Sequence, residues 1–191
     1  LKYCCEAGGV GPSSIDYVVF YEKPLRKFDR IVRSFVQTAP GYSHQFTQAM
    51  SEWLPGKIRQ RRLIEKSMSA AIGGKWASRI LFSGHHLSHA ASAFYPSPFQ
   101  SAAVVTVDGV GEWDTTTIGV GSGRRLEIRR SVRFPHSLGL LYAAFTTYTG
   151  FKVNSGEYKM MGLAPYGEPV YADLIRDRLI DLRNDGSFAI N

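Results

Sequence analysis

Ala102-Ala103-Val104-Val105-Thr106-Val107-Asp108-Gly109 is an apolar run that ends in a carboxylate and a glycine. A run of this length, rich in β-branched residues and bounded by turn residues, reads as a buried strand. Downstream, Thr115–Val120 and Leu126–Val132 read as antiparallel partners joined by the turn Gly121-Ser122-Gly123. Upstream, Ile80–Ser83 is a short strand and His85–Tyr95 a helix stopped by Pro96 and Pro98. Ser137–Tyr148, with Ser137 as N-cap, and Tyr171–Leu182 return to helix, with a polar turn at Asn184–Gly186. Helices interleaved with a partly antiparallel sheet place the chain in the α/β class, as a mixed sheet flanked by helices.

Before Arg79 the pattern is mostly helical. Tyr17–Tyr21 is a β-rich run, and Leu25, Phe28, Val32, Phe35 and Val36 recur at helical spacing until Pro40-Gly41. Phe46, Ala49, Met50, Trp53 and Leu54 make a second stripe with Ser43 as N-cap. A third helix opens at Pro55, carries Ile64, Met68, Ala71 and Ile72 on one face, and ends at Gly73-Gly74. These helices read as packing elements.

Composition narrows the functional classes. The chain has 191 residues, 44% hydrophobic and 13% aromatic, enough for a dry core and against general disorder. No apolar run approaches the roughly 18–20 residues of a membrane span. The two cysteines, Cys4 and Cys5, are adjacent, which argues against a disulfide framework and for a reducing, cytoplasmic setting. The chain begins at Leu1, and Leu1–Ala7 reads as the end of a helix, so a fragment is expected. Net charge is +7, with basic clusters at Lys23–Lys27, Lys57–Lys66 and Arg124–Arg133. Two readings of these clusters stay open: solvated faces, or attraction of an anionic partner.

Three constellations could carry chemistry. In Gly84-His85-His86-Leu87-Ser88-His89, residues His85 and His89 lie one helical turn apart, so both imidazoles can reach one cation. His86 points elsewhere, and its place directly after His85 removes the zinc-protease pattern, which needs Glu there. In Asp108-Gly109-Val110-Gly111-Glu112 the Asp108 carboxylate emerges at a strand end, and Gly109 and Gly111 let backbone N–H groups approach an anion. In Asn154-Ser155-Gly156-Glu157-Tyr158-Lys159 a helix start with a nearby lysine offers a phosphate cradle, though not a P-loop. Each has a structural competitor: helix-start polar residues, a simple turn and a capped helix. No Ser/His/Asp or Cys/His nucleophile set can be assembled, so no catalytic side chain is nominated.

Taken in order, His85–Phe94, the Asp108–Glu112 turn, Pro135-His136-Ser137-Leu138-Gly139 and Tyr148–Gly167 resemble the N-terminal part of the NodU/CmcH carbamoyltransferase family. The resemblance includes Tyr21–Leu25 and Asn184–Phe188 and spans nearly the whole chain. It implies an actin- and sugar-kinase-like ATPase fold (ribonuclease H-like), shared with the tRNA threonylcarbamoyl transferases. It implies O-carbamoylation: carbamoyl phosphate and ATP give a carbamoyl-adenylate, whose carbamoyl group passes to the hydroxyl of a small acceptor. It assigns His85, His89 and Asp108 to a divalent metal, iron by preference. Gly109, Gly111, Glu112, Asn154, Ser155, Gly156, Glu157 and Lys159 fall to the nucleotide and carbamoyl site. Residues 1–191 would then be a partial N-terminal domain, lacking the opening strand hairpin and a C-terminal half, and inactive alone. A transferase acting on tRNA and a non-catalytic nucleotide- and metal-binding module are the competing readings. Nucleic acid is the less expected partner, and no membrane partner is expected.

Overall fold

The structure is a computed structural model that describes residues 1–38, 41, 44, 47, 50, 51 and 59–191. It divides into two compact units, Leu1–Ser88 and His89–Asn191. Ser43, Phe46, Ala49, Trp53, Leu54 and Pro55, which carry the second stripe and the start of the third helix, lie outside the described residues.

The first unit holds α1 (Lys2–Ala7), β1 (Val18–Phe20), α2 (Pro24–Thr38), α3 (Gln60–Ile72) and β2 (Ile80–Phe82). Pro24 suits the first helical position of α2, where a missing N–H costs nothing. β1 and β2 pair in parallel, Val18 opposite Ile80 and Phe20 opposite Phe82. Parallel neighbours need a long crossover, and α2 and α3 lie on it. Met68 of α3, Trp76 and Ile80 of β2 form the buried centre, with Ile64, Ile72, Val18 and Phe82 packed against it. The one-turn spacing of Ile64, Met68 and Ile72 thus faces the strand pair, as the periodicity predicts. Trp76 is buried because its Nε1–H has a partner, the Gly73 carbonyl at 2.6 Å.

The second unit contains most of α4 (His85–Phe94), whose first turn belongs to the first unit. It continues with β3 (Ser101–Val107), β4 (Asp114–Ser122) and β5 (Arg125–Arg133), an antiparallel sheet in the order β3-β4-β5. Ala90 and Phe94 of α4 pack on Val104, with Ala102, Leu126 and Ile128 around them. Between β3 and β4 the hydroxyls of Thr106 and Thr117, both buried, meet at 2.7 Å. Then follow α5 (Leu138–Tyr148), α6 (Glu157–Leu163), α7 (Ala172–Leu179) and the hairpin of β6 (Ile180–Leu182) with β7 (Phe188–Ile190).

Three expectations change. The α/β class holds, but among the described residues the strands form three separate sheets, with parallel pairing confined to β1–β2. The β4–β5 turn is shorter than Gly121-Ser122-Gly123: Gly121 and Ser122 pair with Leu126 and Arg125, leaving Gly123-Arg124 as the loop. Gly123 has φ +55°, the left-handed backbone such a two-residue loop demands. Finally, the helix predicted to reach Leu182 ends at Leu179. Ile180 and Leu182 instead pair with Ile190 and with buried Phe188, so the cross-strand contact wins over helical continuation.

α4 reaches the sheet because Gly121 leaves room for Phe94. A Cβ at Gly121 would sit 2.6 Å from the Phe94 ring. Gly121→Ala should therefore lower stability by about 1–3 kcal/mol, the usual range for overpacking. Thermal unfolding of wild type and variant measures it, and an unchanged midpoint would mean that Phe94 moves aside without cost.

Candidate metal centre

α4 starts after the two-residue link Ser83-Gly84 from β2, and its first two turns carry the histidines. His85 and His89 are four residues apart on this one helix, so the helix itself places their rings one above the other. His86 turns inward, 4% exposed, with its ring edge-to-face to that of His85 at 5.6 Å. It is a packing residue of the helix start.

Asp108 follows the last residue of β3. Its backbone N–H still donates to Thr115 O at 2.9 Å, so the sheet ladder fixes where the chain turns. Within the side chain the two oxygens have different tasks. Oδ1 accepts the Gly109 N–H at 2.7 Å, and Oδ2 faces His89 Nε2 at 3.3 Å. One ligand atom each from His85, His89 and Asp108 lies within 4.8 Å of the others. A divalent ion bonded at about 2.1 Å to each holds its ligand atoms about 3.0–3.5 Å apart. The His89–Asp108 pair already meets that spacing. Two imidazoles and one carboxylate form a donor set suited to a divalent transition metal.

What holds Asp108 is the start of α5. The Ser137 hydroxyl, 1% exposed, donates to Gly109 O at 2.6 Å and accepts the Leu140 N–H at 3.0 Å, capping the helix and gripping the turn together. Gly139 brings backbone against backbone: a Cβ there would lie 2.5 Å from Asp108 O and 2.6 Å from Gly109 N. Thr115, fully buried, donates its hydroxyl to His136 O at 2.6 Å, tying β4 to the same helix start. Ser137 shows itself in the sequence as a cap, Gly139 as part of the Pro135–Gly139 motif and Thr115 as a strand hydroxyl, but none of them as a support of Asp108. A glycine needed for close approach leaves no local signal.

The remaining expected residues serve their own backbone. The Gly111 N–H donates to Asp114 O at 2.9 Å, so in this conformation neither Gly109 nor Gly111 presents its N–H to an anion. Glu112 is half-buried in the same turn. At the start of α6 the Glu157 carboxylate accepts the N–H groups of Asn154 at 2.7 Å and Gly156 at 3.2 Å. These backbone donors, Asn154 foremost, hold its pKa below the usual carboxylate range. The sign follows: the contact is present above the ordinary glutamate pKa and is lost as pH falls through the lowered one. Asn154 has φ +64°, the left-handed conformation that Asn tolerates. Ser155 and Lys159 are exposed, with Lys159 Nζ 5.9 Å from the Tyr158 ring centre.

Residues 1–191 match the family described as carbamoyltransferase N-terminus. The chain belongs to that family. An uncharacterized protein of Synechocystis is 52% identical over 194 residues, which cover the whole chain and 31% of the relative. The nodulation protein NolNO of Sinorhizobium fredii is 35% identical over 192 residues, the whole chain and 26% of the relative. NolO of Bradyrhizobium diazoefficiens is 38% identical over 109 residues, 56% of this chain and 19% of that protein. The chain therefore spans less than a third of the curated relatives it matches. No helix among its described residues is long and apolar enough to cross a membrane.

In this carbamoyltransferase-family chain the α5 contact is open to a clean test. Gly139→Ala should cost about 1–3 kcal/mol, because the clash is with backbone that cannot rotate away. Gly162→Ala, whose methyl group meets nothing within 4 Å, should be neutral or gain up to about 1 kcal/mol from helix propensity. Denaturant unfolding of both compares them, and equal effects would dissociate Gly139 from the Asp108 turn.

Proposed function

We propose that the chain is the N-terminal part of an enzyme that moves a carbamoyl group from carbamoyl phosphate, with ATP, to a hydroxyl of a small acceptor. His85, His89 and Asp108 hold a divalent metal for it, with iron the preferred ion. The carrying observation is the convergence of these three side chains, in a chain that matches the carbamoyltransferase N-terminus along its whole length.

Such a metal, when bound, supplies Lewis acidity towards a carbonyl or hydroxyl oxygen. The chain's own residues supply placement. The Gly109 N–H holds Asp108 Oδ1, which leaves Oδ2 with the histidines. Three protein ligands leave positions for acceptor or carbamoyl oxygens, as an open site requires. In the transfer the acceptor oxygen bonds to the carbamoyl carbon, the bond from that carbon to the adenylate oxygen breaks so that AMP leaves with its electron pair, and the acceptor's proton passes to water. No side-chain nucleophile is needed, and positioning supplies much of the rate. The actin- and sugar-kinase-like fold belongs to the same proposal, as do nucleotide contacts at Gly109, Gly111, Glu112 and Asn154–Lys159. Receiving a phosphate at Asn154–Gly156 requires Glu157 to release their N–H groups, so nucleotide binding and Glu157 movement are coupled.

The experiment uses the full-length protein. His85→Ala and His89→Ala should bring metal content to background and cut carbamoyl transfer by roughly 100-fold or more. His86→Gln should keep its metal. Equal metal loss in all three variants, or full metal retention in the first two, would contradict the assignment.

A further inference from the structure

The first unit contains a cavity of about 500 Å³, within the roughly 300–1,000 Å³ of small-molecule sites. Pro24, Leu25 and Phe82 give it an apolar wall, and Lys23, Arg26 and Arg61 bring three cationic side chains to it. Two of the basic clusters in the sequence, Lys23–Lys27 and Lys57–Lys66, thus converge on one place although more than 30 residues separate Arg26 from Arg61. Phe82 ends β2, and Lys23 follows β1 after a two-residue turn. The cavity therefore lies at the carboxyl ends of the parallel strands, where open α/β sheets receive ligands.

Lys27 is taken by buried Glu22 at 2.9 Å, and Arg33 by Asp29 at 2.7 Å. Among the described residues, no acidic side chain lines the cavity. Arg61 is held in place: its Nη1 donates to Ala77 O at 2.8 Å, and its guanidinium lies 5.5 Å from the Phe82 ring centre. A guanidinium ordered in advance loses less entropy on binding an anion. The first turn of α2 adds its positive dipole end. Leu25 is 70% exposed at the rim, an apolar side chain with little to bury it in the first unit.

We propose that this cavity binds a small organic phosphate ester. Its phosphate meets Arg26, Arg61 and Lys23, and its apolar or aromatic body lies on Phe82, Pro24 and Leu25. Inorganic phosphate would leave the apolar wall wet, and a neutral aromatic would leave the cations unused. The inference stands independently of the metal centre.

Calorimetric titration of the full-length protein with phenyl phosphate, inorganic phosphate and phenol tests it. Phenyl phosphate should bind at least about tenfold more tightly than either fragment probe, since it alone uses both halves of the cavity. Arg26→Gln and Leu25→Glu should each weaken phenyl phosphate on the order of tenfold. Leu25→Glu places a carboxylate in the first turn of α2, which favours the helix, so lost binding there is not lost folding. Arg124→Gln, in the β4–β5 loop, should leave affinity unchanged. His89→Ala should also leave it unchanged, whatever becomes of the metal. No binding of phenyl phosphate, affinity equal to that of inorganic phosphate, or equal losses in Arg26→Gln and Arg124→Gln would overturn the proposal. So would loss of phenyl phosphate binding in His89→Ala, which would move the ligand to the metal centre.

Discussion

The peptide after Asp108 lies directly beneath the first turn of α5, with only a glycine between the two backbones. That approach, closed by the Ser137 hydroxyl on Gly109 O, determines much else in the second unit. It sets the direction of the turn leaving β3, and with it which carboxylate oxygen faces His89. It also locates the start of α5 relative to the sheet, because Thr115 on β4 bonds the peptide just before the helix. The C-terminal hairpin depends on the same corner: the Ile190 N–H donates to His136 Nδ1 at 3.1 Å. Buried polar contacts of this kind cost heavily when half-satisfied, so they favour one arrangement over its neighbours.

The histidines reach the carboxylate by a different route. They are presented by a helix that begins as β2 ends and packs its later turns on β3. The spacing of His85 and His89 is a property of that helix, and the position of Asp108 a property of a strand end. A rigid element on each side gives a more exact site than loops would. The glycine-rich segments in this conformation are occupied with their own N–H groups. Anion chemistry there thus depends on rearrangement, whereas the ligand atoms of His85, His89 and Asp108 already stand within 4.8 Å of one another.

Much of this was legible before any coordinates. The helical period over Leu25–Val36, the continuous run of β3 and the capped start of α5 all specify their elements locally. The His85–His89 spacing is likewise local, and Asp108 stands at a strand end for anyone reading the apolar run. Its role as a partner of the histidines, however, rested on family resemblance. What escaped reading has a common physical cause. Gly139 matters through a residue 31 positions earlier, Ile180–Leu182 is a strand only because Phe188–Ile190 pairs with it, and Glu157 closes a cradle that spacing alone leaves open. Interactions between distant or self-satisfying groups leave no period in the sequence.

X-ray absorption at the metal edge of the iron-loaded full-length protein tests the central claim most directly. The account predicts a first shell of nitrogen and oxygen at about 2.1 Å, with outer-shell scattering from two imidazoles that falls to one in His89→Ala. A sulfur-containing shell, or imidazole scattering unaffected by that substitution, would contradict it.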